Sequence, residues 1–234
     1  AMLVNAKNPD RAIIRLNEIW REVLDGVEGG KKVFFEAIEK AAFDLQEIEQ
    51  KAPLHTLPHV LIVGEIYVRK DGISRRWLPE RMAQHGIVSH VAPLHEWIHY
   101  VDWLVVNKEH MFGASTMSRM KTRLKNSIMS RGERSIKATM EGSGWYIKRL
   151  INIDHVIDAS KQYISPKLPG EAVVTTGGPL AEVGTEFCGA IAIGPFGCMP
   201  NRLSESILNL KMSREHILQH RHDDMTRTVM EEVS

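Results

Sequence analysis

The 234-residue chain is poor in cysteine, in aromatic residues, in net charge and in long apolar runs. Two cysteines exclude a disulfide framework, and they are too few to hold an iron–sulfur cluster or a zinc ribbon alone. Thirty Lys and Arg against 29 Asp and Glu leave +1, so global charge argues for neither a nucleic-acid coat nor a membrane surface. No apolar run approaches the roughly 18 residues of a membrane span, and no signal peptide opens the sequence. A cytoplasmic protein with no membrane and no nucleic-acid partner is therefore expected. Ala1 precedes Met2, the pattern a tag-cleavage scar leaves, so a fragment or a trimmed product is expected.

What the sequence does have is 43% hydrophobic residues arranged in two textures. Residues 8–24 place Ile13, Leu16, Ile19, Trp20, Val23 and Leu24 at helical spacing, and residues 31–51 repeat the pattern after Gly26, Gly29 and Gly30. That predicts an N-terminal helical hairpin over 1–52. At His59 the texture changes. Val60-Leu61-Ile62-Val63-Gly64 reads as a strand buried on both faces. A helix over 74–85, capped by Ser74 and stopped by Gly86, then leads to a second strand over 87–92. Strand, helix, strand is a βαβ unit with a parallel pair. Residues 94–106 and most of 115–150 read as helices. Between 119 and 149 nine basic residues face two acidic ones, which predicts a basic helical insertion over about 107–165. Residues 171–178 read as extended or loop, 179–187 as a short helix, 189–194 as a strand, and 201–211 and 213–232 as helices. The expected fold is α/β: a Rossmann-like short parallel sheet flanked by helices over 53–234, carrying that insertion.

Several residue sets could do chemistry. His95-Glu96-Trp97-Ile98-His99 is an H-E-x-x-H string, which on a helix could bind zinc through His95 and His99 with Glu96 as general base. Pro93 puts His95 in the first helical turn, and the usual third-ligand extension is absent, with Asp102 and Val105 at those places. A half-buried amphipathic helix is the competing reading. Gly194-Pro195-Phe196-Gly197-Cys198-Met199-Pro200-Asn201 follows a predicted parallel strand, at the edge where open α/β sheets place ligands. It holds Cys198 at a loop tip before a helix, a setting that favours thiolates, although a buried structural thiol is the alternative. Cys188 reads as core. Glu65 ends the first strand in the equivalent position and could bind a ligand or cap a turn. Arg69 and Lys70 follow, with phosphate binding weighed against a solvated loop. Thr175-Thr176-Gly177-Gly178 could cradle an anion through backbone N–H groups but matches no nucleotide motif. The basic stretch could guide a phosphate-bearing ligand or simply be a solvated helix face. His216, His220, His222, Asp223 and Asp224 read as surface.

Four strings occur in order: Val63-Gly64-Glu65-Ile66-Tyr67-Val68-Arg69; Val91-Ala92-Pro93-Leu94 with Glu96-Trp97; Gly170-Glu171-Ala172; and Gly194 to Asn201. Together they resemble the 2-hydroxyacyl-CoA dehydratase-like region of the acyl-CoA dehydratase activase-related proteins, also described as CoA-substrate-specific enzyme activases. The similarity spans roughly residues 59–215, and the P-F-x-C-M-P string is its most specific part. The resemblance implies a Rossmann-like domain, anaerobic metabolism, and ATP-driven low-potential electron transfer on CoA thioesters. It implies that Cys198 matches a ligand position of an iron–sulfur cluster such as [4Fe–4S], with Glu65, Gly197 and Asn201 beside it, and that other modules or subunits of the same system are partners. It leaves the catalytic residues unassigned. The departures are that Cys198, with Cys188 at most, is the only thiol supply, and that the ATPase phosphate loop is absent. The chain then reads as one module of a larger system, inactive alone, with a zinc-dependent hydrolase or a non-catalytic scaffold as alternatives.

Overall fold

The computed structural model describes residues 1–107, 115–168 and 170–212. The tail histidines and aspartates at 216–224, and the helix expected over 213–232, lie outside the described residues. The chain divides into two compact units. One takes residues 1–58, 79–89 and 120–151, and the other takes residues 59–78, 90–119 and 152 onward. The first unit thus contains more than the hairpin expected over 1–52, because part of the expected basic insertion clusters with it.

In chain order the helices are α1 (Met2–Asn5), α2 (Pro9–Glu28), α3 (Lys31–Gln46), α4 (Ile66–Lys70), α5 (Leu78–Ala83), α6 (Leu94–Val106), α7 (Thr116–Glu141), α8 (Ile153–Ser160), α9 (Ala172–Glu182) and α10 (Met199–Lys211). The strands are β1 (His59–Gly64), β2 (Val88–Val91) and β3 (Gly189–Ile193). The protein is α/β, with a short three-stranded parallel sheet flanked by helices.

The first unit is built on the α2–α3 hairpin. Asn8 caps α2 by accepting from Arg11 N, and Pro9 sits where its missing N–H costs nothing. Gly26 does not end the helix, as the sequence suggested. It lies inside α2, where a Cβ would stand 2.7 Å from Ala37 Cβ, so it is what lets the two helices close. The turn comes at Gly29-Gly30, with Gly30 at φ +87°, a backbone that favours glycine. Ile19, Val23, Ile38, Ala41 and Leu45 form the core with Trp145, whose indole N–H donates to Ile48 O at 3.2 Å. Ile136 and Met140, from the C-terminal end of α7, pack against the same cluster.

In the second unit β1 is central, in the order β2-β1-β3, and its residues from Leu61 to Gly64 are buried. Its register with β3 runs from Val60 opposite Gly189 to Gly64 opposite Ile193. Gly64, at φ +108°, is required twice over: by its backbone and because any Cβ would overlap the Ile193 carbonyl. The apolar filling comes from Leu61, Val63, Ala92 and Phe187 on one side, and from Tyr100, Val156, Ile157 and residues Ala172 to Val174 around α9.

Two expected elements are different. Residues 74–77 are turns, and only Leu78–Ala83 is helical; Ser74 is not a cap but donates its N–H to Asp71 Oδ2 at 2.7 Å. Residues 172–182 form the helix α9, where an extended segment and then a helix over 179–187 were expected. Two glycines and Pro179 are poor helix formers, so local propensity points away from a helix here. Tertiary contact decides otherwise. A Cβ at Gly177 would overlap Val156 O, so the glycine allows α9 to lie directly on α8.

Candidate functional site at the carboxyl rim of the sheet

The order β2-β1-β3 means that the chain leaves β1 towards one side for β2 and returns to the other side for β3. The carboxyl ends of β1 and β3 therefore flank a topological switch point, the place where open parallel sheets hold ligands. At β1 this rim is Gly64-Glu65. At β3 it is the loop from Gly194 to Cys198.

Glu65 is a cap. Its Oε1 accepts from Tyr67 N at 3.1 Å and its Oε2 from Val68 N at 2.7 Å, while its own N–H donates to Ile193 O at 2.9 Å and ties the two strand ends together. Arg69 is not on a solvated loop. It is 1% exposed, and its Nη1 donates to Gly64 O at 3.0 Å. Burial pulls its pKa below the ordinary guanidinium value, and Glu96, Glu171 and Glu65, in that order, oppose the shift. Glu96 is itself 1% exposed. Glu171 accepts from Ile66 N at 3.1 Å, and burial pushes its carboxyl above the usual range against the pull of Arg69. Carboxylates from three separate stretches thus act electrostatically on one buried guanidinium. Lys70 is exposed on the outside of α4; partial desolvation, then Arg69 and Arg75, lower its pKa.

Cys198 is the N-cap residue of α10 and is half-buried. Phe196, at 101% of its free exposure, and Met199 stand on either side of it in solvent. Gly197 turns the loop at φ +81°. Asn201 lies below: it is buried, its Nδ2 donates to Glu205 Oε1 at 2.7 Å, and its side chain fills the space a Cβ on Gly194 would need. It shapes the loop from beneath. No family model matches the chain, and no curated protein and no solved structure matches it either.

Cys188 was read as core. Its residue is exposed, but its sulfur is partly buried and donates to His59 O at 3.0 Å, and that desolvation raises the thiol pKa. It precedes β3 whereas Cys198 follows it. Five strand residues at ~3.3 Å each, about 16 Å, separate the two ends, so the two thiols cannot share one cluster. A cubane takes about four thiolates, and this rim supplies one. The residues present do not make a cluster site by themselves.

The H-E-x-x-H residues lie on α6 as expected, with the His95 and His99 rings 5.9 Å apart at 89°. Among the described residues no group of three His, Cys, Asp or Glu side chains is arranged to hold a metal ion. Glu96 is buried and acts electrostatically on Arg69. The Thr175-Thr176-Gly177-Gly178 cradle is overturned. These residues are the buried middle of α9, and a helix interior spends its N–H groups on its own carbonyls. His59 and His90, which sequence reasoning passed over, meet Nδ1 to Nε2 at 2.7 Å with Phe187 against the His90 ring. The available signal was one histidine in each of two adjacent strands, His59 first in β1 and His90 third in β2. Among the described residues no helix is long and apolar enough to cross a membrane.

Proposed function

We propose that this chain is a module of a 2-hydroxyacyl-CoA dehydratase or activase-related system, with Cys198 as its one contribution to an iron–sulfur centre shared with other modules or subunits. One observation carries the reading. The four strings behind the family resemblance are scattered over residues 63–201, and their polar residues Glu65, Arg69, Glu96, Glu171 and Cys198 belong to one sheet rim and the charge cluster beneath it. The proposed ligand class is a CoA thioester, and the proposed setting is cytoplasmic, anaerobic metabolism. The chemistry a cluster supplies when bound is one-electron transfer at low potential. What this chain supplies is position: the Gly194–Gly197 loop carries the sulfur beyond β3, and the Glu65 N–H bonded to Ile193 O ties the β1 and β3 ends together.

The test is anaerobic addition of iron and sulfide to this chain together with the cysteine-bearing module and the ATPase of such a system. Absorption near 400 nm that is lost in Cys198→Ser supports the reading. No absorption in the complete mixture defeats it. The single thiol specifically favours one other reading, a non-catalytic scaffold that positions its partners; full activity of the assembly with Cys198→Ser would establish that instead.

A further inference from the structure

Two buried side chains at the carboxyl rim of the sheet carry hydrogen-bonding atoms that nothing meets among the described residues. Arg69 is 1% exposed; its Nη1 donates to Gly64 O, but its Nε and Nη2 have no hydrogen-bond partner. Asn201 is 2% exposed; its Nδ2 donates to Glu205 Oε1, but its Oδ1 has no partner. Native interiors seldom leave such atoms unmet, because each has given up water and received nothing in return. Both residues belong to the β1 and β3 ends. Gly64, whose carbonyl Arg69 bonds, lies opposite Ile193, and Asn201 packs against Gly194. The start of α9 links them. Glu171 acts on Arg69 and accepts from Ile66 N, Ala172 O accepts from Ser204 Oγ at 3.2 Å, and a Cβ on Gly170 would meet Pro200. The ends of β1 and β3 and the first turns of α9 and α10 thus meet at the switch point, where open parallel sheets take ligands.

The unmet atoms specify a chemistry. Nε and Nη2 lie along one edge of the planar guanidinium and donate side by side, so they suit an oxygen acceptor. An anion is the usual guest of that edge. Here Glu96, Glu171 and Glu65 already act on the guanidinium, and a further negative charge would meet their repulsion where little water screens it. A neutral carbonyl oxygen meets no such repulsion. Asn201 asks for the opposite partner. The Glu205 carboxylate takes the Nδ2 donor, which leaves Oδ1 as an acceptor in need of an N–H. A carbonyl oxygen together with an N–H is an amide. We infer that the β1–β3 rim is a binding site for a neutral amide-bearing chain, with amide carbonyl oxygen accepting from Arg69 Nε and Nη2 and amide N–H donating to Asn201 Oδ1. Both side chains are almost wholly covered, so the ligand enters by displacing the rim segments above them. The site draws on neither Cys198 nor a cluster, and it stands apart from the iron–sulfur reading.

The experiment uses the full chain alone, without iron, sulfide or a second module, so its outcome is separate from that of the reconstitution. Pantetheine, N-acetyl-alanyl-alanine amide and tetraethylene glycol are titrated and followed by saturation-transfer nuclear magnetic resonance; the glycol offers ether oxygens but no amide. Saturable binding of at least one amide probe, and none of the glycol, is expected. Which amide binds tells a pantetheine-type arm from a peptide segment. Arg69→Lys keeps the charge without the paired N–H edge and should weaken binding at least about tenfold, as loss of a charge-assisted hydrogen bond requires. Asn201→Leu keeps the volume without the acceptor and should weaken it in the same direction. Circular dichroism checks that each variant is folded. Should either fail to fold, hydrogen exchange on the unaltered chain decides, with the bound amide slowing exchange over residues 65–70 and 194–202. No saturable binding of either amide, equal binding of the glycol, folded variants that bind as the wild type does, or protection confined to segments away from the rim would each overturn the inference.

Discussion

Replacing Arg69 by Met is the sharpest perturbation the structure offers. The guanidinium and the Glu96 carboxylate are each 1% exposed, so neither charge has water to fall back on. Removing Arg69 deletes the charged hydrogen bond to Gly64 O, worth about 1.5–3 kcal/mol, and takes a favourable positive charge away from the surroundings of the buried Glu96. Breaking a buried pair from one side costs about 3–5 kcal/mol, most of it the penalty of the charge left behind. Arg69→Met should therefore lose stability on that scale. Adding Glu96→Gln to Arg69→Met should recover about 1–3 kcal/mol of it, because the stranded charge is then gone. Urea unfolding followed by circular dichroism measures all three variants. The reasoning is refuted if Arg69→Met costs under about 1 kcal/mol, or if the two substitutions simply add.

Other outcomes follow from the same geometry. Gly64→Ala and Gly177→Ala should each cost about 4 kcal/mol or more, since the new methyl meets the Ile193 or Val156 carbonyl and neither backbone can retreat; thermal melts against a Gly132→Ala control, where no atom lies within 4 Å, would show it. Tyr100 is buried, donates to Pro166 O at 2.8 Å and to Leu168 O at 3.2 Å, and its pKa is pushed up to about 12 by burial. The folded state then keeps a proton that the unfolded chain releases near pH 10, so stability is intact below pH 10 and falls by about 2–3 kcal/mol between pH 10 and 12. Tyr100→Phe should flatten that fall, as urea titrations across the window would record. Iodoacetamide under native conditions should alkylate Cys198 before Cys188, whose thiol is held by His59 O and has its pKa raised; equal rates by peptide mass mapping would contradict the assignment.

Much of the sheet was legible because β1 and β3 are short apolar runs closed by glycine, and a run such as Val60-Leu61-Ile62-Val63-Gly64 has few other homes. The hairpin was legible from its 3.6-residue period. The α9 helix was not, because its signal lies in contacts and not in its own residues: Thr175-Thr176-Gly177-Gly178 reads as a loop until Val156 is seen against Gly177. The position of Cys198 at a helix N-terminus on the rim could be read from Gly-Pro punctuation and the following amphipathic run. The Arg69 cluster could not. Its partners lie 27 and 102 positions downstream, and no local pattern marks an arginine that will end up dry. Neither could the role of Asn201, which depends on the absent side chain of Gly194 directly above it.

The most direct test is to compare the wild-type chain with Cys198→Ser in the complete anaerobic mixture of modules. The substitution sits at a helix N-cap where Ser is at least as well tolerated, so the melting temperature should stay within about 0.5 kcal/mol equivalent of wild type and any loss reports on the sulfur. The expected result is iron bound in proportion to wild-type chain, with an electron paramagnetic resonance signal on reduction that is missing or altered in Cys198→Ser. An identical iron content and an identical spectrum in the two would show that the sulfur on this rim ligates nothing.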